Sequence, residues 1–231
     1  MAGIQDAVSL SLEWLPFLLA GVGMTLVLGS GSLALGLLIG GLGATMKLHA
    51  NPVLRTLMQI YTTIVRSVPE LIVVYYFYFG INEGLDLLRG IAGAPSSFQL
   101  PVLVIAFLSL SFIAGALSVE LFRTAYNAAP QSEIVAARAF AMPSLLLFRR
   151  ILFPHIVRHA LPGLGNIWIG LLKDSSLISV MGVTELVRAT TVAANSTGAP
   201  FVFYMLCTIL YLVVALVSGG VFAWLERRYA L

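Results

Sequence analysis

The segment Asn127–Pro162, NAAPQSEIVAARAFAMPSLLLFRRILFPHIVRHALP, is the longest polar interruption in an otherwise apolar chain. It carries Arg138, Arg149, Arg150 and Arg158, with His155 and His159 beside them. Ser132 to Ala141 is Ala-rich and favours helix. Pro143 breaks or restarts that helix, and the pattern predicts a second short helix from Ser144 to Leu152, ending before Pro154. The expected unit is a helix–turn–helix outside the lipid, between two membrane spans. Its arginines place it on the cytoplasmic side by the positive-inside rule. Charge alone also fits a basic loop resting on anionic lipid headgroups.

Outward from this segment the chain is oily. Of 231 residues, 59% are hydrophobic and 10% charged, which would leave a soluble domain with apolar surface it could not hide. The apolar runs predict an all-α integral membrane bundle: one domain over residues 1–231, with five spans at about 15–46, 53–81, 100–122, 161–181 and 201–224. Residues 127–160 form the cytoplasmic loop. Met1 to Trp14 lacks a cationic stretch before a cleavable apolar core, so no removed signal peptide is expected. The single cysteine, Cys207, lies in an apolar run and reads as a buried, inert thiol. Gly36 and Gly40 set small residues four apart, a face for close helix packing.

Polar residues inside the spans mark places of interest. Arg66-Ser67-Val68-Pro69-Glu70 interrupts the second span. Pro69 removes a backbone donor and Glu70 is costly in lipid, so the segment reads either as a broken helix against protein or as the end of a shorter span. Asn82 to Gln99 reads as an outside loop. Glu120 and Arg123 stand three apart near the end of the third span and can neutralise each other. Lys173-Asp174-Ser175-Ser176 lies roughly 18 Å into the fourth span, near mid-membrane. Neighbours on a helix point in different directions, so Lys173 and Asp174 cannot both face one partner. Thr184 to Pro200 is polar and small, suited to a short amphipathic helix at the outer face acting as a gate.

Five spans put the N-terminus outside and the C-terminus inside. On that topology ten basic residues lie inside or at the inner interface: Lys47, Arg55, Arg66, Arg123, Arg138, Arg149, Arg150, Arg158, Arg227 and Arg228. Arg89 and Arg188 lie outside and Lys173 within a span, a strong bias. The net charge of +3 comes from these anchors and gives no sign of nucleic-acid binding.

Three stretches carry a family resemblance. The run Ala136–Ala137–Arg138–Ala139, Ala141–Met142, Phe148–Arg149–Arg150–Ile151–Leu152–Phe153–Pro154, Arg158 and Ala160–Leu161–Pro162 resembles the "EAA" loop of ABC-importer permeases. Where that family has Glu and Gly, this chain has Val135 and Ala141; Glu133 supplies a carboxylate two residues earlier. Tyr61-x4-Arg66-Ser67-Val68-Pro69-Glu70-Leu71, then Tyr78–Phe79–Gly80, is similar to the "R-G-x-P" segment of polar amino-acid permeases. The Glu after the Pro looks most like the branch handling histidine, lysine, arginine, ornithine and opines. Asn166-x6-Lys173-Asp174-Ser175-Ser176-Leu177-x-Ser179, then Gly182-Val183-x-Glu185-Leu186, is close to the same pattern.

The resemblance covers about Gly21 to Tyr229. It implies a type I importer permease subunit in the bacterial inner membrane, moving a polar, cationic amino acid or opine. It implies as partners a second permease, identical or homologous, two ATP-binding subunits and a periplasmic binding protein. Coupling to the ATPase is implied for Glu133, Ala136, Ala137, Arg138, Ala141, Met142, Arg149, Arg150 and Pro154. The substrate path is implied for Glu70, Glu120, Lys173, Asp174, Ser175 and Ser176. No cofactor is expected in this chain: it has no GxxxxGK[ST] loop, so ATP and Mg belong to the partner. His155 and His159 stand at a metal-ligand spacing but no third ligand accompanies them, so no metal site and no enzyme activity are expected. A passive channel or membrane scaffold, with no ATPase partner, is the other reading.

Overall fold

The computed structural model describes residues 2–49, 51–92 and 99–229, without the side chains of 2–8, His49 and Ala92. Every regular element among the described residues is helical. Helix α1 (Ala2–His49) is far longer than the expected span and includes the mildly acidic start. It packs along α4 (Val102–Asn127), and glycine makes that seam possible. A methyl group on Gly36 would lie 2.7 Å from the Ala114 side chain, and one on Gly40 would lie 2.3 Å from Ser118. The two backbones therefore approach through small residues, as the spacing predicts. Helix α4 is the buried centre, with Ile105, Leu110, Ala114 and Val119 almost fully covered.

The second expected span divides. Asn51 accepts a hydrogen bond from Val53 N–H at 3.1 Å and Pro52 occupies the first turn, starting α2 (Pro52–Ser67). The chain breaks at Val68–Pro69, because proline forbids helical backbone before it, and α3 (Glu70–Ala92) follows. Helix α2 is amphipathic with an unusual orientation. Val53, Leu57, Ile60 and Ile64 form an exposed apolar stripe, while Thr62 is buried toward α1. The stretch long and apolar enough to cross a membrane is 70–91, in place of 53–81. Most of the expected outside loop, Asn82 to Ala92, is helix; residues 93–98 lie outside the described residues.

Beyond α4 the chain turns into α5 (Gln131–Ala139), α6 (Ser144–Leu147), a π turn (Phe148–Leu152) and α7 (Phe153–Asp174). The expected stop at Pro154 does not occur. Phe153 N–H donates to Phe148 O, five residues back, and this widened turn gives the proline ring room. One continuous helical run thus extends from Ser144 to Asp174. A 3₁₀ stretch, Ser175–Met181, ends at Gly182, whose φ of +88° suits glycine. Helix α8 (Leu186–Thr197) is the short helix expected there, and α9 (Pro200–Tyr229) buries only Phe203 and Cys207 among its residues. Among the described residues four helices are long and apolar enough to span a membrane, or five if the bent pair Ser144–Met181 and Leu186–Thr197 counts as one span.

Candidate functional site

The connector between α4 and α7 is built on a small core of its own. Ile134 and Ala137 of α5 pack with Ala129, Leu147 and Leu152, a cluster separate from the main core. Helix α5 ends in a Schellman turn: Ala141 N–H donates to Arg138 O at 2.9 Å, and Met142 N–H to Ala137 O at 3.0 Å. Ala141 has φ +53°, the left-handed conformation that glycine adopts without strain. Met142 turns inward onto the small core. What remains outside is apolar and cationic: Val135, Phe140 and Leu145 are 64%, 87% and 79% exposed, with Arg138, Arg149 and Arg150 also exposed. Ala136 joins this face, whereas Ala137 is buried and Pro154 half-buried, so these two shape the surface from behind. Large exposed apolar side chains framed by cations are what a protein partner covers.

Glu133 faces elsewhere. Its Oε2 lies 3.2 Å from His155 Nε2 on α7. Among the described residues no group of His, Cys, Asp and Glu could hold a metal ion.

The six residues expected on a substrate path are not brought to one place. Glu120 is held at the connector end of the bundle, where Lys47 Nζ pairs with Oε1 and Arg123 Nε with Oε2 at 3.0 Å. Lys47 also donates to Thr62 Oγ1 at 3.1 Å, tying α1, α2 and α4 together. The expected Glu120–Arg123 pairing is therefore present, but Lys47 is the deeper partner. A carboxylate with two cations already in place is structural first. The topology counts Lys47 only among the basic residues at the inner interface; the sequence holds no sign that α4 lies against it.

At the end of α7 the four polar residues divide. Lys173 and Ser176 look onto a groove of about 410 Å³ shared with Ile169, Leu172, Tyr211 and Leu212. Lys173 forms no ion pair among the described residues. Asp174 is turned to within electrostatic reach of Glu70 at the start of α3. Ser175 is fully buried and its hydroxyl donates to Leu172 O at 2.8 Å. The winding changes from α to 3₁₀ between Asp174 and Ser175.

One residue escaped sequence reasoning although its motif was quoted. Glu185 is fully buried and caps α8: its carboxylate accepts from Arg188 N–H at 2.7 Å and Val187 N–H at 2.9 Å. Tyr211 O–H donates to it at 3.4 Å, and Leu186 N–H donates to Thr25 Oγ1 at 3.3 Å. Helix α8 is thus fixed to α1 and α9 by polar bonds. A capping carboxylate at a helix start is readable from sequence in principle.

The model of the family described as "binding-protein-dependent transport system inner membrane component" matches residues 32–231. The chain belongs to this family. Within it, the octopine transport system permease protein OccQ of Rhizobium meliloti is 38% identical over 215 residues, 93% of this chain and 91% of that protein. The histidine/lysine/arginine/ornithine permease protein HisQ of Escherichia coli K12 is 38% identical over 213 residues, 92% of this chain and 93% of its own. The nopaline permease protein NocQ of Agrobacterium fabrum is 40% identical over 218 residues, covering 93% and 91%. The fold matches an amino acid ABC transporter crystallised with histidines, at TM-score 0.80 and 25% identity over 94% of this chain and 96% of that one. The MetNI methionine transporter in an inward-facing form matches at TM-score 0.72 and 19% identity, over 93% and 97%, which supports the fold alone. As expected, this is an all-helical membrane protein of the ABC-importer permease type.

Proposed function

We propose that this chain is the permease subunit of an ATP-driven importer for a polar, cationic amino acid or opine, working in a bacterial inner membrane. The observation that carries the reading is the exposed Phe140–Leu145 face with Arg138, Arg149 and Arg150, in a member of this family. A passive channel or scaffold has no use for such a face. The chain has no P-loop, so energy comes from separate ATP-binding subunits docked there. The basic residues of the connector keep it in the cytoplasm, with the N-terminus outside and the C-terminus inside. A second permease subunit covers faces of α3 and α9, whose span windows are each only 11% buried here. A periplasmic binding protein supplies substrate at the other side, where α8 serves as part of the gate.

Closure of the ATPase pair on ATP pulls the connectors together, and α7 carries that motion to the Lys173–Ser176 junction. The relatives named for octopine, nopaline and basic amino acids motivate the substrate class. Glu70 and Asp174 are the carboxylates available for a guanidinium or ammonium group, and Lys173 for a substrate carboxylate. Uptake of labelled arginine, lysine and octopine by cells expressing the whole transporter tests this. Glu70→Lys is expected to cut uptake of the cationic substrate at least about tenfold, the scale of one lost charge-assisted contact. Unchanged uptake would remove Glu70 from the path.

A further inference from the structure

Helix α5 has little to hold it in place. It is nine residues long, and only Ile134 and Ala137 are buried on it. Short turns flank it, Ala128–Pro130 and Phe140–Pro143, and its apolar hold is the small cluster around Ile134 and Ala137. A polar bond joins it to α7, between Glu133 Oε2 and His155 Nε2 at 3.2 Å. His155 stands in the first turn of α7, directly after the π turn. Its backbone carbonyl accepts from His159 Nδ1–H at 2.8 Å, which keeps the two imidazoles side by side. His155 also borders a groove of about 470 Å³ lined in part by Arg158, Glu226 and Tyr229. Glu226 of α9 lines the same groove.

From His155 to Asp174 the helix is unbroken, roughly 28 Å at 1.5 Å per residue. A small change in how α5 meets α7 is therefore carried to the junction that presents Lys173 and Asp174. We infer that Glu133 and His155 are positioning residues: they clasp the docking helix to α7, so that motion imposed on α5 reaches the span instead of being absorbed in the two turns. The inference rests on the proposed function above. It also reassigns Glu133 from a contact with the ATPase to a contact within the chain. The pair is partly exposed, so its strength is modest and its value lies in direction; about 1 kcal/mol or less corresponds to a factor of up to about five.

The test uses the complete transporter in proteoliposomes, with Glu133→Ala, His155→Ala, the double variant and the exchanged pair E133H/H155E. ATP hydrolysed per substrate imported is expected to rise about two- to fivefold in each single variant. The double variant should be no worse than either single, and the exchanged pair should return to near the wild-type ratio. The amount of ATPase subunit bound should not change. Spin labels at Phe140 and Asn166 give a second readout that needs no ATPase. Their distance distribution should broaden in the single variants and narrow again in the exchanged pair. Wild-type ratios and distances in the single variants, multiplying effects in the double variant, or no recovery on exchange would each overturn the clasp. Failure of the wild type to bind any ATPase overturns the proposed function instead, and the label distances still decide the clasp.

Discussion

The seam between α1 and α4 and the connector between α4 and α7 are both helix packings, yet they are made in opposite ways. The seam is closed by small residues: Gly36, Gly40 and Gly43 bring α1 so near α4 that an added methyl group would overlap Ala114, Ser118 or Val119. It leaves nothing for another protein. The connector hides only a handful of side chains and displays Phe140, Leu145 and three arginines. A surface of that kind is incomplete without a partner. The first region defines the subunit; the second is the proposed place for another component to act on it.

Substitutions can separate the two. The largest effect belongs to the seam. Gly40→Leu should destabilise the detergent-purified protein by about 3 kcal/mol, the upper range for overpacking a filled site. Gly41→Ala, one residue on and with nothing within 4 Å of the added carbon, should stay within about 1 kcal/mol of wild type. Thermal melting followed by size-exclusion chromatography reads both, and equal losses at the two positions would break the claim that the seam is set by contact.

The ion cluster where seam and connector meet comes next. Lys47→Ala leaves Glu120 with Arg123 alone and should cost about 2 kcal/mol, somewhat less than breaking an isolated buried pair. Lys47→Ala in an E120Q background should cost clearly less, because no carboxylate is then stranded; additivity of the two changes would show that they do not interact. On the connector itself, Ala141→Gly should stabilise by about 1 kcal/mol, since φ +53° penalises the Ala side chain. A lower melting temperature for this variant would contradict the Schellman turn.

Much of this could be read in the chain. Apolar length revealed the spans around α4 and α9, the four-residue glycine spacing revealed the seam, and Pro143 marked the restart of the connector. The misreadings have physical causes. Pro154 does not stop its helix because a π turn changes which carbonyl loses its donor, an adjustment invisible in a propensity count. Val53–Ile81 looked like one span because the apolar stripe of α2, Val53, Leu57, Ile60 and Ile64, is followed closely in sequence by the apolar start of α3. The residues expected to couple stand out in the sequence as a motif, but which of them face outward does not: Ala137 and Met142 support the surface that Ala136, Arg138, Arg149 and Arg150 present. Glu133, Glu120 and Lys47 find partners 22 and 73 residues apart in sequence, and no local pattern reports contacts of that range.

The smallest change in stability should accompany the largest change in assembly. Arg149→Glu with Arg150→Glu alters only exposed side chains and should move the subunit's own stability by no more than about 0.5 kcal/mol. Co-purification from membranes, with the neighbouring transporter genes co-expressed, asks whether the connector is the docking surface. The wild type should bring down a P-loop ATPase subunit, and the double variant should bring down the second permease without it. Recovery of the same ATPase with the charge-reversed connector, or of none with the wild type, would contradict the assignment.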